Sequence, residues 1–427
     1  MSAIAVLLTT TALLFGTPVA SLTGAAQTAT ESIGGLIKQS DDARTPVPGV
    51  TITVLSGSAE IGSATSGPDG AWVVPLPGPG IYRVVLDTAT LPDGINLRDP
   101  DRTSLDNVDI RAGQKKSVLF PLGERAVDTA GAVTRFLNLA AKGLVYGAIV
   151  ALAAIGLSLV FGTTNMVNFA HGELVTFGAV VAWLFNASPA GPKLPLLAAV
   201  LPTLVLAGVF GYLLEKGLFR PLRRRQVGRV SLIVVSIGLS LFIRHIYLLV
   251  IGGSPHAFEQ YAVQTAQSFG PISLPLKDVI ILLLSLAVLG GVALMLQHTR
   301  LGTSMRAVAD NKDLAEASGI DVERVILATW VMGTVLAALG GVFFGITQTV
   351  QWDMGFVLLL TMFTAVILGG IGTAYGAMVG GLIIGVTTEA STFWLPVEFK
   401  HVVALAVLIV VLMVRPQGLF GLKERIG

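Results

Sequence analysis

Nine apolar stretches follow one another along most of the chain, at about 136–161, 165–186, 194–215, 230–252, 276–297, 325–348, 356–372, 374–393 and 400–414. Several are long enough to cross a bilayer, which takes about 20 apolar residues. Backbone polar groups find no water in lipid, so stretches of this kind must be helices. Only 13% of the residues are charged and mean hydropathy is +0.77, too little charge to cover a soluble protein of 427 residues. Two of the later stretches are separated only by GGIGTAYG, so they count as two helices or one broken helix. The fold class that follows is an α-helical polytopic membrane protein of eight or nine transmembrane helices, preceded by a small all-β sandwich.

Basic residues orient it. Arg220, Arg223, Arg224, Arg225 and Arg229 crowd one short loop. Arg300, Arg306, Lys312 and Arg324 lie in another, and Arg415, Lys423 and Arg425 form the tail. The positive-inside rule puts all three in the cytoplasm, and alternation then puts the N-terminal region outside, which favours nine spans over eight. The net charge is only +2 and the basic residues form short clusters, so nothing here addresses nucleic acid.

Residues 1–26 hold a short apolar core followed by TPVASLTGAAQ, the pattern of a cleaved signal peptide. The n-region carries no Lys or Arg, which leaves an uncleaved anchor as the alternative. Residues 27–130 are polar and turn-rich. GVTITVL, AWVVPL, IYRVVLD and KKSVLFPL read as strands, broken by GPDG, PGPG and LPDG. The order PVPGVTITV, then TSGPDGAWVVPLPGPGIYRVVLD, resembles the carboxypeptidase-regulatory-like, or transthyretin-like, fold, which implies a binding or spacer module without catalysis. Asp99, Asp101, Asp106 and Asp109 form a loose acidic cluster without calcium-loop spacing, and a solvated loop is the better reading.

Residues 131–427 form the membrane domain. There is no cysteine, no pair of histidines with a carboxylate on one face, and no nucleophile–base–orienter set, so catalytic and metal-ligating residues are expected to be none. Gly372, Gly376 and Gly380 recur at helical spacing and suit close helix packing, as do Gly381 and Gly385. GGIGTAYG lacks the lysine of a phosphate loop.

Polar groups at bilayer depth are costly and therefore informative. NMVNFAHGEL concentrates Asn165, Asn168, His171 and Glu173 at the start of the second stretch. Asn168 and His171 share a face if this segment is helical. Two readings stay open, a capped helix start wetted at the cytoplasmic surface and the lining or gate of a translocation path. Arg244, His245 and Glu389 also lie within apolar stretches, each placed to pair inside the bundle or to snorkel.

The polar segment RAVADNKDLAEASGIDVER interrupts the apolar stretches. Asp310 and Asp313 suit a helix start, Ala315 falls on a small-to-apolar stripe, and Gly319 suits a left-handed cap. A short amphipathic helix at the membrane face is a handle for a soluble partner or a plain connector. Asp313-Leu314-Ala315 with Gly319 resembles the "EAA…G" loop of ABC-importer permeases, with Asp for Glu. GLVYGAIVALAAIGLSLVFGTTNMVNFAHGELVTFGA, TRLGTSMRAVADNKDLAEASGI, AVILGGIGTAYGAMVGGLIIG and VRPQGLFG closely resemble branched-chain amino-acid ABC permeases over nearly all of 136–421. NFAHGE is similar to one of that family's two paired permeases.

The resemblance implies a subunit in the cell membrane that pairs with a second, related permease, two cytoplasmic ATPases and an extracytoplasmic solute-binding protein. It implies alternating access, with ATP used by the partners and no cofactor bound by this chain, and a coupling loop that includes Arg306, Asp310, Asp313, Ala315 and Gly319. Ordinary members lack the β-domain. Rival readings are an importer of the same type for urea or short amides and an ion-coupled secondary transporter. The latter would show discontinuous helices and midplane carboxylates, for which Glu389 is the one candidate.

Overall fold

The structure, a computed structural model, describes residues 31–38, 45–57, 59–92, 95, 97, 103–110, 115–118, 120, 122, 131–188, 191–258, 266–415 and 417–421. The expected leader at 1–26, and Asp99, Asp101, Lys423 and Arg425, lie outside them. The described residues form two compact units, the first ending by Leu122 and the second starting at Gly131.

The first unit holds seven strands: β1 (Ser32–Leu36), β2 (Thr51–Ser56), β3 (Ala59–Thr65), β4 (Ala71–Pro75), β5 (Gly80–Leu86), β6 (Ser104–Ile110) and β7 (Lys115–Ser117). They make two sheets, ordered β4-β1-β7 and β3-β2-β5-β6. Alternation sends Ile52 and Val54 of β2, and Tyr82, Val84 and Leu86 of β5, into one core with Ile33, Trp72 and Ile110. Tyr82 Oη donates to the Gly78 carbonyl at 2.6 Å and anchors the turn that enters β5. In the GPDG turn, Asp69 accepts from the Ala71 N–H at 3.0 Å, and Gly70 takes φ +76 where a side chain would strike the Ile37 carbonyl. Asp106 and Asp109 sit on β6 rather than on a loop, and Asp106 pairs with Arg83 across the sheet.

The second unit is helical. In chain order it contains α1 (Ala132–Thr164), α2 (His171–Asn186), α3 (Leu196–Arg224) and α4 (Arg229–Ile251). A hairpin of β8 (Ala266–Phe269) and β9 (Ile272–Pro275) leads to α5 (Leu276–His298), α6 (Arg300–Asp310) and α7 (Lys312–Ala317). Then come α8 (Val322–Thr347), α9 (Met354–Gly369), α10 (Ala374–Ser391) and α11 (Lys400–Val414). All nine apolar stretches are helical for most of their length, and among the described residues six helices are long and apolar enough to cross a membrane unaided. The helices α2 and α9, with 16 residues each, are not among these six.

Helix α1 is the central post. Its glycines let neighbours approach to backbone contact, since lipid supplies no hydrophobic drive for helix association. A side-chain carbon at Gly156 would sit 2.5 Å from the Gly333 carbonyl of α8, and one at Gly147 would sit 2.9 Å from the Gly381 carbonyl of α10. Contacts run from Gly156–Gly333 to Ile149–Gly340, so α1 and α8 are antiparallel. One end of the bundle thus gathers the end of α1, the start of α8 and α6, where Ala309 lies against Gly162. The turn after α9 joins them, because a side-chain carbon at Gly162 would sit 3.1 Å from the Gly372 carbonyl, and the tail follows, with Phe420 and Leu419 donating to the Gly369 and Leu368 carbonyls at 2.9 and 2.8 Å.

Candidate functional site: two re-entrant breaks and a capped surface helix

The NMVNFA segment is not helical. Asn165 closes α1 in the left-handed region (φ 50), its N–H reaching the Phe161 carbonyl at 2.7 Å, and α2 begins only at His171. His171 Nε2 donates to the Ala153 carbonyl at 2.9 Å. Ala153 precedes Thr164 by eleven residues, about 16 Å along a helix. The chain therefore turns back beside α1, and α2 starts deep in the bundle. The stretch from 165 is therefore not one continuous helix, and of the two open readings the helix start wetted at the surface does not hold: Asn168, His171 and Glu173 are each 0% exposed. Asn168 shares no helix face with His171; its Oδ1 accepts from the Ala170 N–H at 3.0 Å, a local turn that holds the break open. Its Nδ2, like His171 Nδ1 and Glu173 Oε2, has no hydrogen-bond partner among the described residues. Only Asn165 is exposed.

Helix α4 lines this break with Ser236, Ser240, Arg244 and Tyr247, spaced to share one face. Ser236 Oγ accepts from the Phe169 N–H at 3.1 Å. Glu173 Oε1 accepts from Ser240 Oγ (2.9 Å), Arg244 Nε (3.1 Å) and Arg244 Nη2 (3.0 Å), and Tyr247 Oη donates to the Glu173 carbonyl (2.9 Å). The Arg244 guanidinium lies 3.7 Å from the ring centre of Phe356 on α9. So Arg244 pairs inward with Glu173, while His245 faces outward and Glu389 pairs with Lys400 at 2.6 Å.

A second break of the same length follows α8. It runs over six residues, Gln348 to Asp353, and the 16-residue α9 begins at Met354. The first turns of α2 and α9 overlap antiparallel. A side-chain carbon at Gly172 would sit 2.5 Å from the Gly355 carbonyl, one at Gly355 would strike the Gly172 carbonyl in return, and Thr176 Oγ1 accepts from the Gly355 N–H at 3.0 Å. Gln348–Gly355 was not among the residues that sequence reasoning selected. The signal was an internal repeat, FGTTNMVNFAHG at Phe161–Gly172 against FGITQTVQWDMG at Phe344–Gly355.

The polar segment forms two helices. Asp310 ends α6 rather than starting the next helix, and Asn311 caps α7 by accepting from the Leu314 N–H at 3.0 Å. Asp313 lies in the first turn of α7. Gly319, at φ +84, donates to the Glu316 carbonyl (2.9 Å) and Ile320 to the Ala315 carbonyl (3.0 Å), a Schellman close. Ala315 is buried, whereas Leu314 is 65% exposed and Arg306 is exposed, its guanidinium donating to Thr303 Oγ1 at 3.4 Å.

Beneath this handle, Glu323 of α8 pairs with Arg220 (2.5 Å), and Arg223 pairs with the fully buried Glu215 (2.9 and 2.5 Å). A π-helical turn over Glu215–Phe219 turns Glu215 inward and stacks Phe219 on Trp330 at 4.7 Å. Burial, and then the cations of Arg223 and Arg229, pull the Lys312 ammonium below its usual pKa.

Of the packing glycines, Gly372 lies outside α10, in the turn, with φ +80 close to Gly162. It therefore shares no helix face with Gly376 and Gly380, which meet Gly369 and Ala365 of α9. Gly381 and Gly385 face α1.

A bundle of apolar helices with broken segments and a capped surface helix defines a polytopic membrane transport protein. The family described as branched-chain amino acid transport system, permease component, matches residues 139–412, and the chain belongs to it. The chain is 34% identical over 301 residues to the high-affinity branched-chain amino acid transport system permease protein LivH of Escherichia coli, covering 68% of this chain and 96% of the relative. It is 31% identical to the corresponding permease BraD of Pseudomonas aeruginosa, covering 68% and 98%. It is 26% identical to the ribose import permease protein RbsC of Escherichia coli, covering 61% and 81%. No solved structure matches.

Proposed function

We propose that this chain is one membrane subunit of an ATP-driven importer for branched-chain amino acids or similar small polar solutes. It pairs with a second permease, two cytoplasmic ATPases and an extracytoplasmic solute-binding protein. The observation that carries this reading is helix α7. It is capped at both ends, it offers Leu314 and Asp313 outward, and it leads directly into α8, whose Glu323 is paired with Arg220 of α3. A rigid short helix of this kind transmits a push, whereas a loose connector would absorb it. The similarity to LivH and BraD supports the cargo class.

The end of the bundle that carries α6 and α7 also carries the Arg220–Arg229 cluster and Arg415, which supports a cytoplasmic placement. On that orientation the unit over 27–130 is extracytoplasmic, 1–26 is its export signal, and 131–427 is the permease domain. The path is gated by the break at Asn165–Ala170, with Asn168 its polar lining and Glu173 its fastening to α4. Asp313→Arg and Arg306→Glu should leave folding and membrane insertion intact and reduce ATP-driven uptake, while the partner ATPases lose their stimulation by cargo. Full uptake in both variants would make α7 a plain connector.

A further inference from the structure

We propose that Gln348–Asp353 forms the second mouth of the path, with Gln351 and Trp352 meeting cargo there as Asn168 and Phe169 do at the first. This rests on the transport reading above. The two segments are built alike. Phe161/Phe344, Gly162/Gly345, Thr164/Thr347, Val167/Val350 and Gly172/Gly355 are identical pairs at one constant offset. At the same offset Asn165 and Asn168 meet Gln348 and Gln351, and Phe169 meets Trp352, so amide stands for amide and aromatic for aromatic.

Structure repeats with sequence. A long helix, six non-helical residues and a helix of 16 residues occur twice, and the long helices run antiparallel. Gly172 and Gly355 each face the other's carbonyl, as residues on a two-fold axis must. That axis exchanges the ends of the bundle. Whatever Asn165–Ala170 presents at the end near Gly319, Gln348–Asp353 presents at the far end.

Polar amides are costly in an apolar bundle. Retaining them at both breaks, with the aromatic beside them, indicates a shared task rather than two accidents of packing. Both segments also lean on the same helix. Phe169 bonds to Ser236, and Trp352 lies against His245 with ring centres 6.3 Å apart, so α4 touches both mouths. Gln351 donates to Thr349 at 3.2 Å and is half-buried, and among the described residues its side-chain carbonyl oxygen takes no hydrogen bond, which suits it to receive the ammonium or amide hydrogens of a small polar cargo.

The chain contains no cysteine, so a single cysteine labelled on this chain, separated from its partner subunits by electrophoresis, reports without background. Gln348→Cys and Gln351→Cys for one segment, and Val167→Cys for the other, are placed in the full transporter in vesicles of both orientations. A membrane-impermeant methanethiosulfonate is applied with no nucleotide and then with ATP and vanadate. The expected result is reactivity that changes several-fold in opposite directions at the two segments, with leucine protecting Gln351→Cys. Gln351→Ala should raise the KM for leucine uptake about tenfold, the affinity held by one hydrogen bond. Reactivity that shifts in the same direction at both segments, or at neither, in vesicles whose parent protein takes up leucine overturns the second mouth alone. Absence of ATP-driven uptake by the parent overturns the transport reading instead.

Discussion

Arg244→Met isolates what holds the first break in place. In the parent, Glu173 is 0% exposed, and among the described residues one of its oxygens takes three side-chain hydrogen bonds, two of them from Arg244. Removing the guanidinium leaves a buried carboxyl with, among the described residues, Ser240 as its remaining side-chain donor and no paired cation. Breaking a buried pair from one side costs about 3–5 kcal/mol, because the orphaned group keeps its desolvation cost and loses its compensation. Arg244 also rests on Phe356, so about 1 kcal/mol of cation–π contact is lost with it. A single-variant cost of about 5 kcal/mol follows. The double variant Glu173→Met with Arg244→Met has no charge left to desolvate, and methionine adapts to both shapes, so it should lie within about 1 kcal/mol of the parent. The assay is equilibrium unfolding in mixed detergent micelles with rising SDS fraction, followed by far-ultraviolet circular dichroism, as a double-mutant cycle. Single-variant costs that simply add in the double variant would refute the argument, since Arg244 and Glu173 would then act separately.

Gly385→Ala places a side-chain carbon on the Gly147 backbone of α1, and pushing two packed helices apart should cost about 3 kcal/mol in the same unfolding assay. Gly290→Ala on α5 meets nothing within 4 Å and should be neutral or mildly stabilising. In the β unit, the hydrogen bond from Arg83 holds the Asp106 carboxyl below the usual carboxylate range. A depressed folded pKa stabilises above the unfolded value, about 4, and is lost as pH falls through the folded one. Amide hydrogen exchange across β5 and β6 of the full chain should therefore be faster in Asp106→Asn than in the parent at pH 7, with the difference gone by about pH 2.

Much of the architecture was legible because its cause is local. An apolar run long enough to span is a helix for want of any other way to satisfy its backbone, and the spans 132–164, 229–251, 276–298 and 322–347 follow the hydropathy closely. The turn residues of GPDG and the Tyr82 strand were legible for the same reason. Gly319 was legible too, since a left-handed close after six helical residues needs no partner beyond the helix itself. β1 and β6 were harder. SIGGL carries two glycines where a strand wants branched side chains, and SLDNVDI carries two aspartates. Each is a strand because a neighbour pairs with it, β1 between β4 and β7 and β6 along β5.

The break at Asn165–Ala170 could not be read from composition, because its residues suit a wetted helix start as well as a buried turn. What decides is a partner elsewhere. Ala153 lies back along α1, and Ser240 and Arg244 lie roughly seventy residues further on, a separation that only the folded chain closes. Arg244 and Glu173 were each recognisable as costly, but neither names the other, since a charge in an apolar stretch can equally snorkel outward, as His245 on the adjacent face stays exposed. One signal did cross that distance without a fold. The repeat of FG, amide, amide–aromatic and G relates Gly172 to Gly355 across the chain, and the structure brings these two glycines together. A repeat search precedes residue-by-residue weighing for this reason. Propensity is a local quantity, whereas an axis of symmetry is a statement about contacts.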